Sequence, residues 1–187
     1  MLVFCLVAGG AALTTFSSAA SSSNDARVLI DALEDRGVAA VAKLVHKGAD
    51  INAASSGDGT VLIVAAKRGD LAAVEQLLAL GADVNIIADN DGTALIAAAG
   101  RGHLSVVERL VAAGANVDAV TPHDETALIT ASRKGQLDVV RFLVGHKANV
   151  NLGVSTWTGQ WRTPLNQART SSIKAYLSAH GASDTRG

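Results

Sequence analysis

The stretch GTVLIVAAKRGDLAAVEQLLALGADVN, residues 59–85, decides the fold. Thr60 precedes a short apolar run and carries a hydroxyl that can accept from the orphan N–H groups of a helix's first turn. Val61, Leu62, Ala65 and Ala66 follow at helical spacing, and Gly69 stops the run. A second helix is expected from about Leu71 to Leu80, with Leu71, Val74, Leu77 and Leu78 along one face. Gly81 falls where the chain leaves that helix through a left-handed conformation. The stretch reads as a turn and two helices, each too short to be stable without packing against a neighbour.

Such neighbours are supplied by repetition. GADIN begins at Gly48, GADVN at Gly81, GANVD at Gly114 and KANVN at Lys147, each 33 residues after the last. A second phrase keeps step, with Thr60, Thr93, Thr126 and Thr163 spaced by 33, 33 and 37 residues. Two phrases locked to one period mark an internal repeat whose units must stack to bury a continuous core. Alanines 65, 66, 98, 99 and 131 would let those units approach closely. The units run over about 27–59, 60–92, 93–125, 126–162 and 163–182, giving three central repeats between two caps, with 183–187 as a tail. Arg27 replaces the threonine in the first cap, and Asp31, Glu34, Asp35 and Arg36 make its surface polar. Lys147 stands where Gly48, Gly81, Gly114 and Gly181 recur, so it is expected in a strained left-handed conformation.

Period, threonine, paired alanines and the GADVN phrase together resemble the ankyrin repeat, from roughly Arg27 to Ala182. The resemblance implies an all-α solenoid of helix–turn–helix units with β-turn or hairpin fingers. The family's T-P-L-H-x-A phrase survives only in part. Its proline remains at Pro164, and Val61, Ala94 and Ala127 stand elsewhere. Ile63, Ile96, Ile129 and Asn166 replace its histidine, which removes the family's threonine–histidine hydrogen bonds between repeats. The wording is similar to ankyrin arrays of exported bacterial proteins, some of them fused to membrane metallopeptidase sensors.

Composition narrows the function. The 187 residues include 16 Lys or Arg and 17 Asp or Glu, for a net charge of −1, which gives no general attraction to nucleic acid or anionic membranes. Aromatics are 3% and alanines number 35, so the core is built from small aliphatic groups. One cysteine, Cys5, excludes a disulfide framework and a cysteine zinc site. The chain opens with an uncharged apolar run, Leu2 to Phe16, followed by small residues, with Ser18 and Ala20 placed for cleavage after Ala20. Residues 1–20 are therefore expected to be a signal peptide and 21–26 a flexible linker, placing the protein in the periplasm or outside the cell. The basic n-region is missing, and a membrane anchor through residues 1–20 or a cytosolic tail is the alternative. After cleavage no membrane insertion is expected, and the protein is expected to be monomeric.

No catalytic residue, cofactor site or metal site is expected. None of His46, His103, His123, His146 and His180 has a metal-ligand spacing, and no phosphate-binding or nucleophile motif is present. The expected role is binding another protein; an accessory module for a periplasmic enzyme, or a metal or small-ligand binder using the outer-helix histidines, are the alternatives. Ankyrin-type arrays present fingertips and the concave inner-helix face to partners, so the resemblance implies contacts through exposed Val64, Ala97, Thr130 and Gln167. A basic row lies where the inner helices end, at Lys67, Arg68, Arg101, Arg133, Lys134 and Arg169. Of these Arg68, Arg101 and Arg133 join the candidate surface. An acidic row, Asp58, Asp89, Asp91, Asp124 and Glu125, marks the turns. Favourable helix-dipole placement, about 0.3–1 kcal/mol per charge, accounts for both rows without any partner. The enlarged finger, residues 152–163, holds Trp157 and Trp161, which are candidate partner anchors. The alternative is that one or both rings fold back over the last repeat.

Overall fold

Thr60, Thr93 and Thr126 do what their position predicts. Each adopts an extended conformation, and its Oγ1 accepts from the backbone N–H three residues on, at Ile63, Ile96 and Ile129, over 3.1–3.3 Å. The isoleucines that replace the family's histidine thus keep the cap on their N–H while their side chains are buried. The computed structural model describes residues 18–89, 92–121, 125–156 and 158–184. Their helices are α1 (Ser18–Arg36), α2 (Val38–His46), α3 (Val61–Arg68), α4 (Leu71–Ala79), α5 (Ala94–Arg101), α6 (Leu104–Ala112), α7 (Ala127–Lys134), α8 (Leu137–Gly145) and α9 (Ser171–Ala179). Residues 21–26, expected as a linker, lie within α1.

The helices form two layers. The inner layer stacks α1, α3, α5 and α7 in order, and the outer layer stacks α2, α4, α6, α8 and α9. The inner helices meet through alanine: Ala65, Ala66, Ala98, Ala99 and Ala131 are all fully buried. Leu62, Leu95 and Leu128 from the inner layer and Leu77, Leu110 and Leu143 from the outer layer fill the seam between them. In the last unit a turn over Pro164–Gln167 replaces the inner helix. Thr163 and Asn166 cap it reciprocally: Asn166 N–H donates to Thr163 Oγ1 and Thr163 N–H donates to Asn166 Oδ1, both at 3.0 Å. That arrangement is a capping box with asparagine at the third position.

The GADVN phrase explains itself in the stack. Its fifth residue accepts, through a side-chain oxygen, the backbone N–H of the third residue in the next phrase. The rungs are Asp83 N–H to Asn52, Asn116 N–H to Asn85, Asn149 N–H to Asp118 and Ser183 N–H to Asn151, all 2.7–2.9 Å. Asn85 and Asn151 also donate Nδ2 to the carbonyls of Gly114 and Gly181. A polar ladder therefore runs along the turns. Lys147 has φ 66°, the one positive φ at a non-glycine among the described residues, while the matching glycines have φ of 81–101°.

Candidate partner-binding surface

The fingers are short antiparallel turns. Ser55 pairs with Gly59 and Ala88 with Gly92 as single bridges. The fourth finger, lengthened by four residues, becomes a hairpin of β1 (Val154–Ser155) and β2 (Trp161–Arg162), with Val154 opposite Arg162. Asp58 and Asp89 are exposed on the first two central tips, whereas Asp91, Asp124, His123 and Trp157 lie outside the described residues. Trp161 is half-buried and folds back onto the base of its own hairpin. A Cβ added to Gly153 would collide with the six-membered ring of its indole, so the ring rests against that glycine.

Of the four inner-helix positions expected to be exposed, two are not. Val64 is 8% exposed and belongs to the core, because the inner helices are drawn together through alanine and neighbours cover it. Thr130 is 6% exposed. Its hydroxyl donates to Glu125 Oε2 at 2.6 Å, and its Cγ2 presses on α5 where Gly100 leaves room. Ala97 and Gln167 are half-buried.

The acidic row also loses a member. Glu125, expected on a turn tip, points inward, with 17% of its side chain exposed. Its carboxylate accepts from Arg133 Nη2 at 2.6 and 2.7 Å, from Arg162 Nη1 at 3.3 Å and from Thr130. A carboxylate surrounded by two guanidiniums and a hydroxyl has the partners that burial demands. It ties the third finger to α7 and to the hairpin of the fourth. Arg133 is thereby held in place, and Arg68 is likewise paired with Glu34. Arg101, Lys134 and Arg169 stay exposed.

Between α5 and α7 these positions enclose a groove of about 590 Å³. Ile96, Ala97, Gly100 and Thr130 form its floor, and Lys67, Arg101, Arg133 and Lys134 its rim, with no carboxylate in the lining. By repeat register Gly100 matches Lys67 and Arg133, so a long side chain is missing where the groove opens. A Cβ there would meet Thr130 Cγ2 at 2.9 Å. The glycine's place in AlaAlaAlaGlyArg (97–101), inside a helix, was the sequence signal for this groove and could have been read. A second groove, of about 500 Å³ between α1 and α2, carries Asp31 and Asp35 together with Arg36, Lys43 and Lys47, and has no dominant sign.

The histidines serve the outer helices. His46, His146 and His180 each bond a carbonyl four residues earlier through Nδ1, and the latter two rings also lie against Phe142 and Tyr176. Among the described residues no three His, Cys, Asp or Glu side chains come together as metal ligands would.

A family model described as ankyrin repeats, in three copies, matches residues 62–154. The chain belongs to the ankyrin-repeat family. The match falls within the three central repeats, whose stacking, capped threonines and fingers have just been described. Ankyrin repeats are generally protein-interaction modules and typically non-catalytic, and a protein partner is the role consistent with that membership. A search of curated proteins finds no match. No helix among the described residues is long and apolar enough to cross a membrane.

Proposed function

We propose that this ankyrin-repeat array is a non-catalytic module that binds another protein through the inner-helix face between α5 and α7 and the adjoining fingers, outside the bacterial cytoplasm. The observation that carries the reading is the groove itself. It combines an apolar floor with a cationic rim on the face where the repeats present successive side chains in register. Export rests on the uncharged apolar start and the small residues after it. N-terminal sequencing of protein made from the natural reading frame should begin at or near Ser21, and a soluble product that retains Met1 would refute export.

Binding is tested by affinity capture from a periplasmic extract, with the parent and Ala97→Arg compared side by side. Ala97 is half-buried in the groove floor, and an arginine there fills the groove without touching the seam between the layers. A captured protein that saturates on the parent and is lost on a folded Ala97→Arg supports the reading. Equal capture by both proteins, or none by either, overturns it.

A further inference from the structure

The groove's charge, read on top of the protein-binding role just proposed, specifies what the partner must bring to it. The lining carries four cations, and Glu125, which bonds two of the lining residues, neutralises Arg133, so a positive surplus remains at Arg101 and Lys134 in a chain whose net charge is −1. Positive charge has therefore been gathered here. It is not a general property of the surface. Arg101 and Lys134 occupy the same register position in adjacent repeats. Both are exposed, and among the described residues neither meets a carboxylate. Arg133 is held beside them by Glu125, so its guanidinium is positioned before any partner arrives.

Gly100, which lets Thr130 pack closely on α5, also shapes the groove. A glycine inside a helix is less favourable than alanine, because it loses more backbone freedom on folding. Gly100 is not in a positive-φ conformation that would require it. Its lack of a side chain admits Thr130 Cγ2 and leaves an opening between Lys67 and Arg133.

We propose that the groove receives an acidic, extended peptide segment of the partner, with carboxylates held by Arg101 and Lys134 and an intervening side chain laid on Ala97 and Gly100. Helices packed at about 8–10 Å set the step from one cation to the next. A polyproline-type strand, with three residues per turn and about 3.1 Å per residue, returns to the same face after about 9 Å. Carboxylates three residues apart therefore match one repeat step. A nucleic acid fits less well, because neutralising a continuous phosphate backbone needs a broad basic surface. Here the exposed carboxylates of Asp58 and Asp89 stand on the finger tips.

The test uses the full folded protein and a short fluorescein-labelled peptide carrying glutamate at every third position among alanine and serine, followed by anisotropy at low salt. Saturable binding is expected, weakened at least about tenfold in Arg101→Glu with Lys134→Glu, and weakened again as salt shortens the Debye length. Lys43→Glu with Lys47→Glu changes the net charge equally but lies on the α1–α2 groove, and it should leave binding within about twofold, since the effect of distant exposed charges is screened. The proposal is overturned if the glutamine version of the peptide binds as tightly, if the two double variants behave alike, or if the acidic peptide does not bind. It is also overturned if a short oligothymidylate binds more tightly than the peptide, which would make the groove a nucleic-acid surface. Failure here is separable from failure of the binding role: capture that Ala97→Arg abolishes but Arg101→Glu with Lys134→Glu does not would keep the inner-helix face and discard the acidic partner.

Discussion

Lys147→Gly should stabilise the protein, and the structure lets the size be worked out. The turn at Lys147 is built like its neighbours. Lys147 N–H donates to Val144 O at 3.0 Å and Ala148 N–H to Leu143 O at 2.9 Å, as Gly81 and Ala82 donate to Leu78 and Leu77 at 3.1 and 3.0 Å. No hydrogen bond separates the two cases. A Cβ built at Gly48, Gly81, Gly114 or Gly181 meets nothing within 4 Å, so a side chain in this register adds no tertiary clash. What remains is the local cost of φ 66° for an L residue, about 1–2 kcal/mol. The greater unfolded-state entropy of glycine offsets roughly 0.4–1 kcal/mol of it. The net gain is about 0.5–1 kcal/mol from these two terms. In a chain of this size it appears as a rise of about 1–4 °C in melting temperature. Urea unfolding should show a higher midpoint at unchanged slope. The reverse change, Gly81→Lys, should lose a similar amount. If Lys147→Gly leaves the midpoint unchanged or lowers it while Gly81→Lys is costly, the left-handed turn is not the source of strain at Lys147 and the argument fails.

Thr93→Ala removes the buried hydroxyl that caps α5 and should cost about 1 kcal/mol, with hydrogen-exchange protection lost at the Ile96 amide; unchanged protection there would show the cap to be idle. Glu125→Ala leaves Arg133, Arg162 and Thr130 without their shared carboxylate and should cost about 1.5–3 kcal/mol in urea unfolding, whereas a loss under about 0.5 kcal/mol would place the residue among ordinary surface charges. Gly153→Ala drives the Trp161 indole off the hairpin base, so in a Trp157→Phe background the emission should shift to the red; an unshifted spectrum would show that the ring does not rest on Gly153.

Local features were legible in the sequence, and contacts between units were not. The period, the threonine caps and the left-handed residue at 147 each depend on a few neighbouring residues, and the chain states them four times over. The burial of Val64 and Thr130 depends instead on how closely alanine lets α5 approach the helices on either side of it. Glu125 reads as one more acidic turn residue until Arg162, 37 positions later, is folded beside it. The ladder was hidden for a similar reason. Asn52, Asn85, Asp118 and Asn151 look like polar turn residues within their own units, and their acceptors matter only to the unit that follows. For Trp161 the sequence left two fates open, and the glycine two residues into the finger's base was the clue to the ring's resting place.

The ladder has a mechanical consequence for the groove. Along the finger side, successive units are joined by short, directional rungs of 2.7–2.9 Å, and stretching one by an ångström breaks it. Along the helix side they meet largely through alanine contacts, which permit small sliding of packed helices. One edge of the molecule is thus nearly inextensible and the other compliant, as in a leaf spring clamped along one margin. Flexing is therefore expected to change the gap between α5 and α7 more than the pitch of the fingers. A ligand wedged between those helices would bend the whole array with little change in the spacing at which its fingertips meet a second surface.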